Sequence, residues 1–78
     1  MREFDIILRS LRQVQDFVKI ATSQPFEIQV GNEWQDINGK DLMGMFSLDY
    51  CHPLRVRMVC SEEEYKTFRA LAAQYLCA

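Results

Sequence analysis

Arg9, Ser10 and Arg12 put two guanidinium groups and a hydroxyl around one point of the chain. Ser10 followed by Gln13 is a capping-box signal, so that point is the start of a helix. Its free N–H groups, its dipole and the flanking arginines can together hold a phosphate or sulfate. The same residues also read as a capped helix with two solvated arginines. As an anion site it would bind rather than react, because a serine with no base beside it in sequence is a weak nucleophile. His52 is the only histidine, and any catalytic imidazole must be this one. Set between Cys51 and Pro53, it has the context of a surface loop residue. Cys51, His52 and Cys60 lack the C-x₂₋₄-C spacing of a zinc site, so no metal or other cofactor is expected. The three cysteines, Cys51, Cys60 and Cys77, are odd in number and contain no C-x-x-C, which favours reduced thiols. Trp34 is either an exposed contact residue or a ring folded back over the sheet.

These residues are positioned by seven predicted elements. Phe4, Ile6 and Leu8 alternate with Glu3, Asp5 and Ile7 as strand one. Leu11, Val14, Phe17, Val18 and Ala21 recur at helical spacing, giving helix one from Leu11 to Thr22, ended by Ser23-Gln24-Pro25. Phe26, Ile28 and Val30 mark strand two, Gly31-Asn32-Glu33 a turn, and Trp34–Ile37 a short, weakly marked strand three. In Asn38–Leu48, Asp41 is the N-cap of a short helix that is apolar on nearly every side. Gly44 costs that helix about 1 kcal/mol against alanine, so a neighbouring element must approach closely there. Leu54, Val56 and Met58 alternate with Arg55 and Arg57 as strand four, with the arginines on its solvent side. Ser61 with Glu64 starts helix three, whose stripe is Tyr65, Phe68, Leu71, Ala72, Tyr75 and Leu76. Cys60 reads as a core or sheet residue where strand four ends. The expected core joins Phe4, Ile6, Val18, Ile28, Val30, Leu42, Val56, Phe68 and Leu71. The order β-α-β-β-α-β-α, with half-polar strands and amphipathic helices, predicts an α+β fold. A four-stranded antiparallel sheet would carry three helices on one face.

At 78 residues, 49% hydrophobic and 26% charged, the chain is expected to be a single domain, residues 1–78. No apolar run approaches the ~18 residues of a membrane span, and acidic residues interrupt the N-terminus, so a soluble cytoplasmic protein is expected. A net charge of −2 gives no electrostatic reason to expect nucleic acid or an acidic membrane as partner.

The element order, the length and the run Lys40-Asp41-Leu42-Met43-Gly44-Met45-Phe46-Ser47-Leu48 together resemble HPr, the histidine-containing phosphocarrier of the bacterial sugar phosphotransferase system. HPr proteins commonly read K-S-I-M-G-x-M-S-L-G there, and the similarity covers essentially the whole chain. It implies the open-faced β-sandwich of that family. In HPr, strand one leads into G-[LI]-H-A-R-P-A, whose histidine carries the phosphoryl group; here the stretch reads Leu8-Arg9-Ser10-Leu11-Arg12-Gln13-Val14. Arg12 falls where the family arginine neutralises the phosphoryl group, and Ser10 replaces the histidine. Asp41 falls on a serine that a kinase phosphorylates in many Gram-positive relatives, and its carboxylate either imitates phosphoserine in part or is simply a good N-cap. The resemblance implies a docking surface of Arg9, Ser10, Arg12, Met43, Phe46 and Ser47. Its partners would be proteins of the phosphotransferase system or a transcriptional regulator, with no enzymatic activity in the chain itself. The competing expectation is an atypical phosphocarrier that uses Ser10 or His52.

Overall fold

The computed structural model describes residues 1–32, 34–50 and 52–77, and its sheet has an apolar face and a charged one. Strands β1 (Arg2–Ile6), β2 (Ile28–Gly31), β3 (Asp36–Asn38) and β4 (Leu54–Met58) lie in the order β1-β4-β2-β3, every neighbouring pair antiparallel. The register sets Phe4 against Val56 and Ile6 against Leu54, with Val30 and Ile28 opposite Val56 and Met58 on the other flank of β4. Because side chains alternate across a strand, all of these reach one face, where they are buried. The opposite face pairs Glu3 with Arg57 and Asp5 with Arg55. There Arg55 Nε lies 3.0 Å from Asp5 Oδ1, and Arg57 reaches Glu3 at 3.7 Å and Asp36 at 3.4 Å.

Helices α1 (Leu11–Thr22), α2 (Leu42–Phe46) and α3 (Glu62–Leu71) complete the fold, and their inward residues join the core on the apolar face of the sheet. Phe68 is at its centre, with ring centroids 5.4 Å from Phe4, 5.9 Å from Phe26 and 6.0 Å from Phe17. Ser61 and Glu64 close a reciprocal capping box at α3, each backbone N–H bonded to the other's side chain at 3.0 and 3.1 Å.

Four expectations are corrected. Strand three begins at Asp36, not Trp34, because just before it Asn32 N–H donates to the Gln35 carbonyl in a turn. Leu71 is half exposed, at 49%, and is not a core residue. With α3 inward at Tyr65, Phe68 and Ala72, a residue three after Phe68 lies on the flank of the stripe, whereas four after it, Ala72, is buried. The helix then stops, and a 3₁₀ turn at Ala73–Tyr75 leads the C-terminal residues onto the open edge of β1. Ile7 N–H donates to the Tyr75 carbonyl at 2.7 Å and Cys77 N–H to the Asp5 carbonyl at 2.9 Å. Tyr75 therefore packs from the 3₁₀ turn and Leu76 from a bridge to Ile6 that covers a sheet edge, neither of them from α3. Leu42, expected in the core, packs at its margin. The readings of Glu33 as a turn residue and of Cys51 as a thiol fall outside the described residues.

Candidate interaction site

Ser10 is the N-cap of α1 in extended conformation, and its Oγ accepts the Gln13 N–H at 3.2 Å. The second half of the expected box is displaced by one residue. Gln13 Oε1 accepts from Arg9 N–H at 2.7 Å, not from the N–H of Ser10. A longer amide reaches one residue past the cap, and so the Gln13 side chain lies back across the start of the helix. Arg12 runs along the helix to Asp16, 3.7 Å away, an exposed i,i+4 pair worth a few tenths of a kcal/mol that leaves the guanidinium easily recruited elsewhere.

Helix α2 lies against α1, and two contacts fix it. Lys40 Nζ donates to the Gln24 carbonyl just beyond the end of α1 at 2.7 Å, a cation set where the helix dipole is negative. Gly44 lets β3 approach: a Cβ there would stand 2.7 Å from Ile37 Cγ2. No described glycine has positive φ, so it is space and not backbone freedom that requires this one. Asp41 caps α2, its Oδ1 accepting the Gly44 N–H at 3.2 Å. Met45 and Leu48 are then buried, and Met43 stands out at 77% exposure. Phe46 is half-buried and packs on the core, a deeper seat than that of Met43. Ser47 ends the helix, its Oγ donating to the Gly44 carbonyl at 2.6 Å. Leu11, read in sequence as the first residue of the apolar stripe of α1, is instead 55% exposed and adds an apolar residue at the first turn.

The other sequence candidates lie elsewhere. Trp34 is 75% exposed, which decides against a ring folded over the sheet. It lines an open depression of about 770 Å³ beside Ser47, His52, Arg55 and Arg57. His52 thus belongs to the solvent face of the sheet, and Ser10 is not among the residues that line this depression. The hydrogen bond to Asp5, with the charges of Asp5 and Glu3, pushes the Arg55 pKa further above its ordinary value. The ion lattice was the feature sequence reasoning missed. Its signal was present in the acids alternating along Glu3 and Asp5 and the bases alternating along Arg55 and Arg57, which become visible as pairs only once β1 and β4 are known to be neighbours. Cys60 is half-buried just beyond β4, as expected, and burial with the nearby Glu64 carboxylate raises its thiol pKa. Among the described residues no cluster of three or more His, Cys, Asp or Glu side chains has metal-binding geometry, and no helix is long and apolar enough to cross a membrane.

No family model matches the chain, and no curated protein matches it significantly. Solved structures do. The crystal structure of HPr-C-His from Thermoanaerobacter tengcongensis superimposes with a TM-score of 0.73 over 95% of this chain and 93% of that one, at 22% sequence identity. The fold is that of HPr. What the HPr fold contributes here is the frame: an apolar sheet face under α1, α2 and α3, with the first turn of α1 and the exposed side of α2 at the surface.

Proposed function

We propose that this chain is an HPr-like protein-interaction module that docks partners through the first turn of α1 and the outer side of α2, and that it carries no phosphoryl group. The observation behind this reading is the state of Ser10. Its oxygen serves as a helix cap, accepting the Gln13 N–H, and among the described residues it has no imidazole or carboxylate as hydrogen-bond partner to remove its proton. A hydroxyl with no base beside it is a poor phosphoryl acceptor, and a phosphoserine does not pass the group on as a phosphoimidazole does.

Docking, by contrast, asks only for a surface, and Arg9, Leu11, Arg12 and Met43 supply exposed apolar and cationic side chains on the two contacting helices. Such a surface suits a partner with an apolar centre and an acidic rim. Methionine adapts its shape to that partner at small cost. Partners of this description are proteins of the sugar phosphotransferase system or a transcriptional regulator, and the chain itself has no catalytic role.

Two measurements test the reading. Incubation with the phosphotransferase system's phosphorylating enzyme and phosphoenolpyruvate, followed by intact mass, is expected to give no 80 Da gain, the mass of one phosphoryl group. Gain at the rate of a true carrier overturns the proposal and returns Ser10 or His52 to the role of acceptor. In binding assays against candidate partners, Arg12→Glu and Met43→Glu are expected to weaken the complex without unfolding the protein, since both side chains are exposed. Phe46→Ala is a poorer probe, because Phe46 packs on the core and its loss also costs stability.

A further inference from the structure

The depression beside Trp34 lies on the solvent face of the sheet, and only Ser47 of the proposed docking surface reaches it. Three observations describe what it fits. The first is that the indole, the only one in the chain, is held outward by a fixed backbone. Asn32 Oδ1 accepts the N–H groups of Trp34 and Gln35 at 2.9 and 3.0 Å, and Asn32 N–H donates to the Gln35 carbonyl at 3.0 Å. Gly31 packs so closely under this turn that a Cβ there would collide with the Gln35 carbonyl and the Asp36 carboxylate. The turn is thus braced without any contribution from the ring, which forgoes burial worth about 2 kcal/mol or more and is left as a flat apolar wall.

The second observation is charge. The described lining contains the carboxylates of Asp5 and Asp49 and the guanidinium groups of Arg55 and Arg57, which balance. Both arginines are already engaged, Arg55 by Asp5 at 3.0 Å and Arg57 by Asp36 at 3.4 Å. A phosphorylated or carboxylate ligand would have to compete with Asp5, Glu3 and Asp36 for these guanidinium groups, and a cation would find no excess of acid. The third is hydrogen-bonding capacity. Gln35, Ser47 and His52 line the same space with groups that both donate and accept, and the ion pairs fix the floor. The volume, about 770 Å³, is within the ~300–1,000 Å³ range of small-molecule sites.

An uncharged ligand with one apolar face and a periphery of groups that donate and accept hydrogen bonds meets all three conditions. We infer that the Trp34 depression is a binding site for a neutral saccharide, whose C–H face stacks on the indole while its hydroxyls bond to Gln35, His52 and the Asp5–Arg55 pair.

Because Trp34 is the sole tryptophan, intrinsic fluorescence reads the site directly. The wild-type protein is titrated with maltose, cellobiose, lactose and N,N′-diacetylchitobiose. Amide NMR shifts are followed in parallel, with adenosine and inorganic phosphate as competing chemistries. At least one saccharide is expected to give a saturable change with a Kd of about 1 mM or below, and shifts confined to Asp5 and residues 31–35, 47–49 and 52–57. Trp34→Ala, read by NMR, is expected to weaken binding roughly tenfold or more while the melting curve stays unchanged. Arg12→Glu and Met43→Glu are expected to leave it intact, which separates this site from the helix surface. The inference is overturned if no saccharide saturates, if adenosine or phosphate occupies the site in preference, or if Trp34→Ala binds as wild type does.

Discussion

Replacing Gly44 with alanine sets two known effects against each other, and the structure says which wins. Alanine is the better helix former by about 1 kcal/mol in a helix interior. Its Cβ, however, would stand 2.7 Å from Ile37 Cγ2 and 3.0 Å from Asp41 Oδ2. Carbon atoms pack at ~3.5 Å or more, so α2 and β3 must separate by about 0.8 Å or Ile37 must turn. Ile37 is β-branched and stiff at χ1, so rotation is not a cheap escape. Overpacking of this kind costs about 1–3 kcal/mol, and the Asp41 cap is disturbed as well. The expected net loss is about 1 kcal/mol, measured by urea unfolding. The decisive comparison is the double-mutant cycle with Ile37→Ala. Once the γ2 methyl is gone, Gly44→Ala should become stabilising by several tenths of a kcal/mol or more, giving a coupling of about 1–2 kcal/mol. If Gly44→Ala stabilises the wild-type background, or its effect is unchanged by Ile37→Ala, close approach of β3 is not the reason for the glycine.

Phe68→Ala removes the ring at the centre of the aromatic cluster and is expected to cost about 3–5 kcal/mol, enough to leave a domain of this size largely unfolded at 37 °C by circular dichroism. Asp41→Ala is expected to cost about 1 kcal/mol in thermal or urea unfolding, and Asp41→Ser much less, because serine also caps. If partner binding follows stability across this pair, Asp41 acts as a cap; if Asp41→Ser folds normally but binds differently, its charge is read by the partner. Stability should also fall in alkali. Burial raises the pKa of both Cys60 and Tyr75, so over the window between their unfolded and folded values the unfolded chain has released protons that the folded chain keeps. Their contribution is complete below the unfolded values, roughly 8.5 and 10, and is lost as pH rises through the folded ones. Urea midpoints should start to drop as pH rises past about 8.5 and go on dropping above about pH 10, and Tyr75→Phe should reduce the later part of the drop.

The elements that were legible in the sequence are those whose signal is local. Helix α1 runs over the predicted residues because a serine cap, a clean 3.6-residue stripe and a Ser-Gln-Pro stop all agree, and β4 because apolar and basic residues alternate without a break. Gly44 is where a local cost truthfully announced a tertiary contact. The failures have the opposite character. Leu71 matches the stripe of α3 by spacing, but the angular centre of that stripe is fixed by where Phe4, Phe17 and Phe26 surround Phe68, which no window of sequence contains. The C-terminal segment continues a helical pattern, yet it leaves the helix because β1 has an open edge to be covered. Phe46 and Met43 are equally apolar in sequence, and only the packing of α2 decides that one is half-buried and the other exposed.

The start of α1 brings local and functional reasoning to the same residue. A helix start leaves N–H groups without internal partners, and a chain can either cap them or leave them open to a ligand. The HPr pattern, with histidine at the cap position and proline three residues on, is the open solution: proline has no N–H to cap and fits the first turn. This chain takes the other course. Ser10 caps the N–H of residue 13, and Gln13 spends its side chain on Arg9 N–H. The two solutions exclude each other, because a proline at position 13 would remove the donor that Ser10 holds and the amide that lies across the site. Ser10→His alone should therefore lose about 1 kcal/mol of capping and gain little phosphorylation, since Gln13 still covers the terminus. Ser10→His with Gln13→Pro should fold comparably to Ser10→His and accept phosphoryl groups measurably faster, read by intact mass after incubation with the phosphorylating enzyme and phosphoenolpyruvate. If the single variant is phosphorylated as fast as the double, the capped terminus is not what bars the reaction, and the barrier must be sought in recognition of the donor protein.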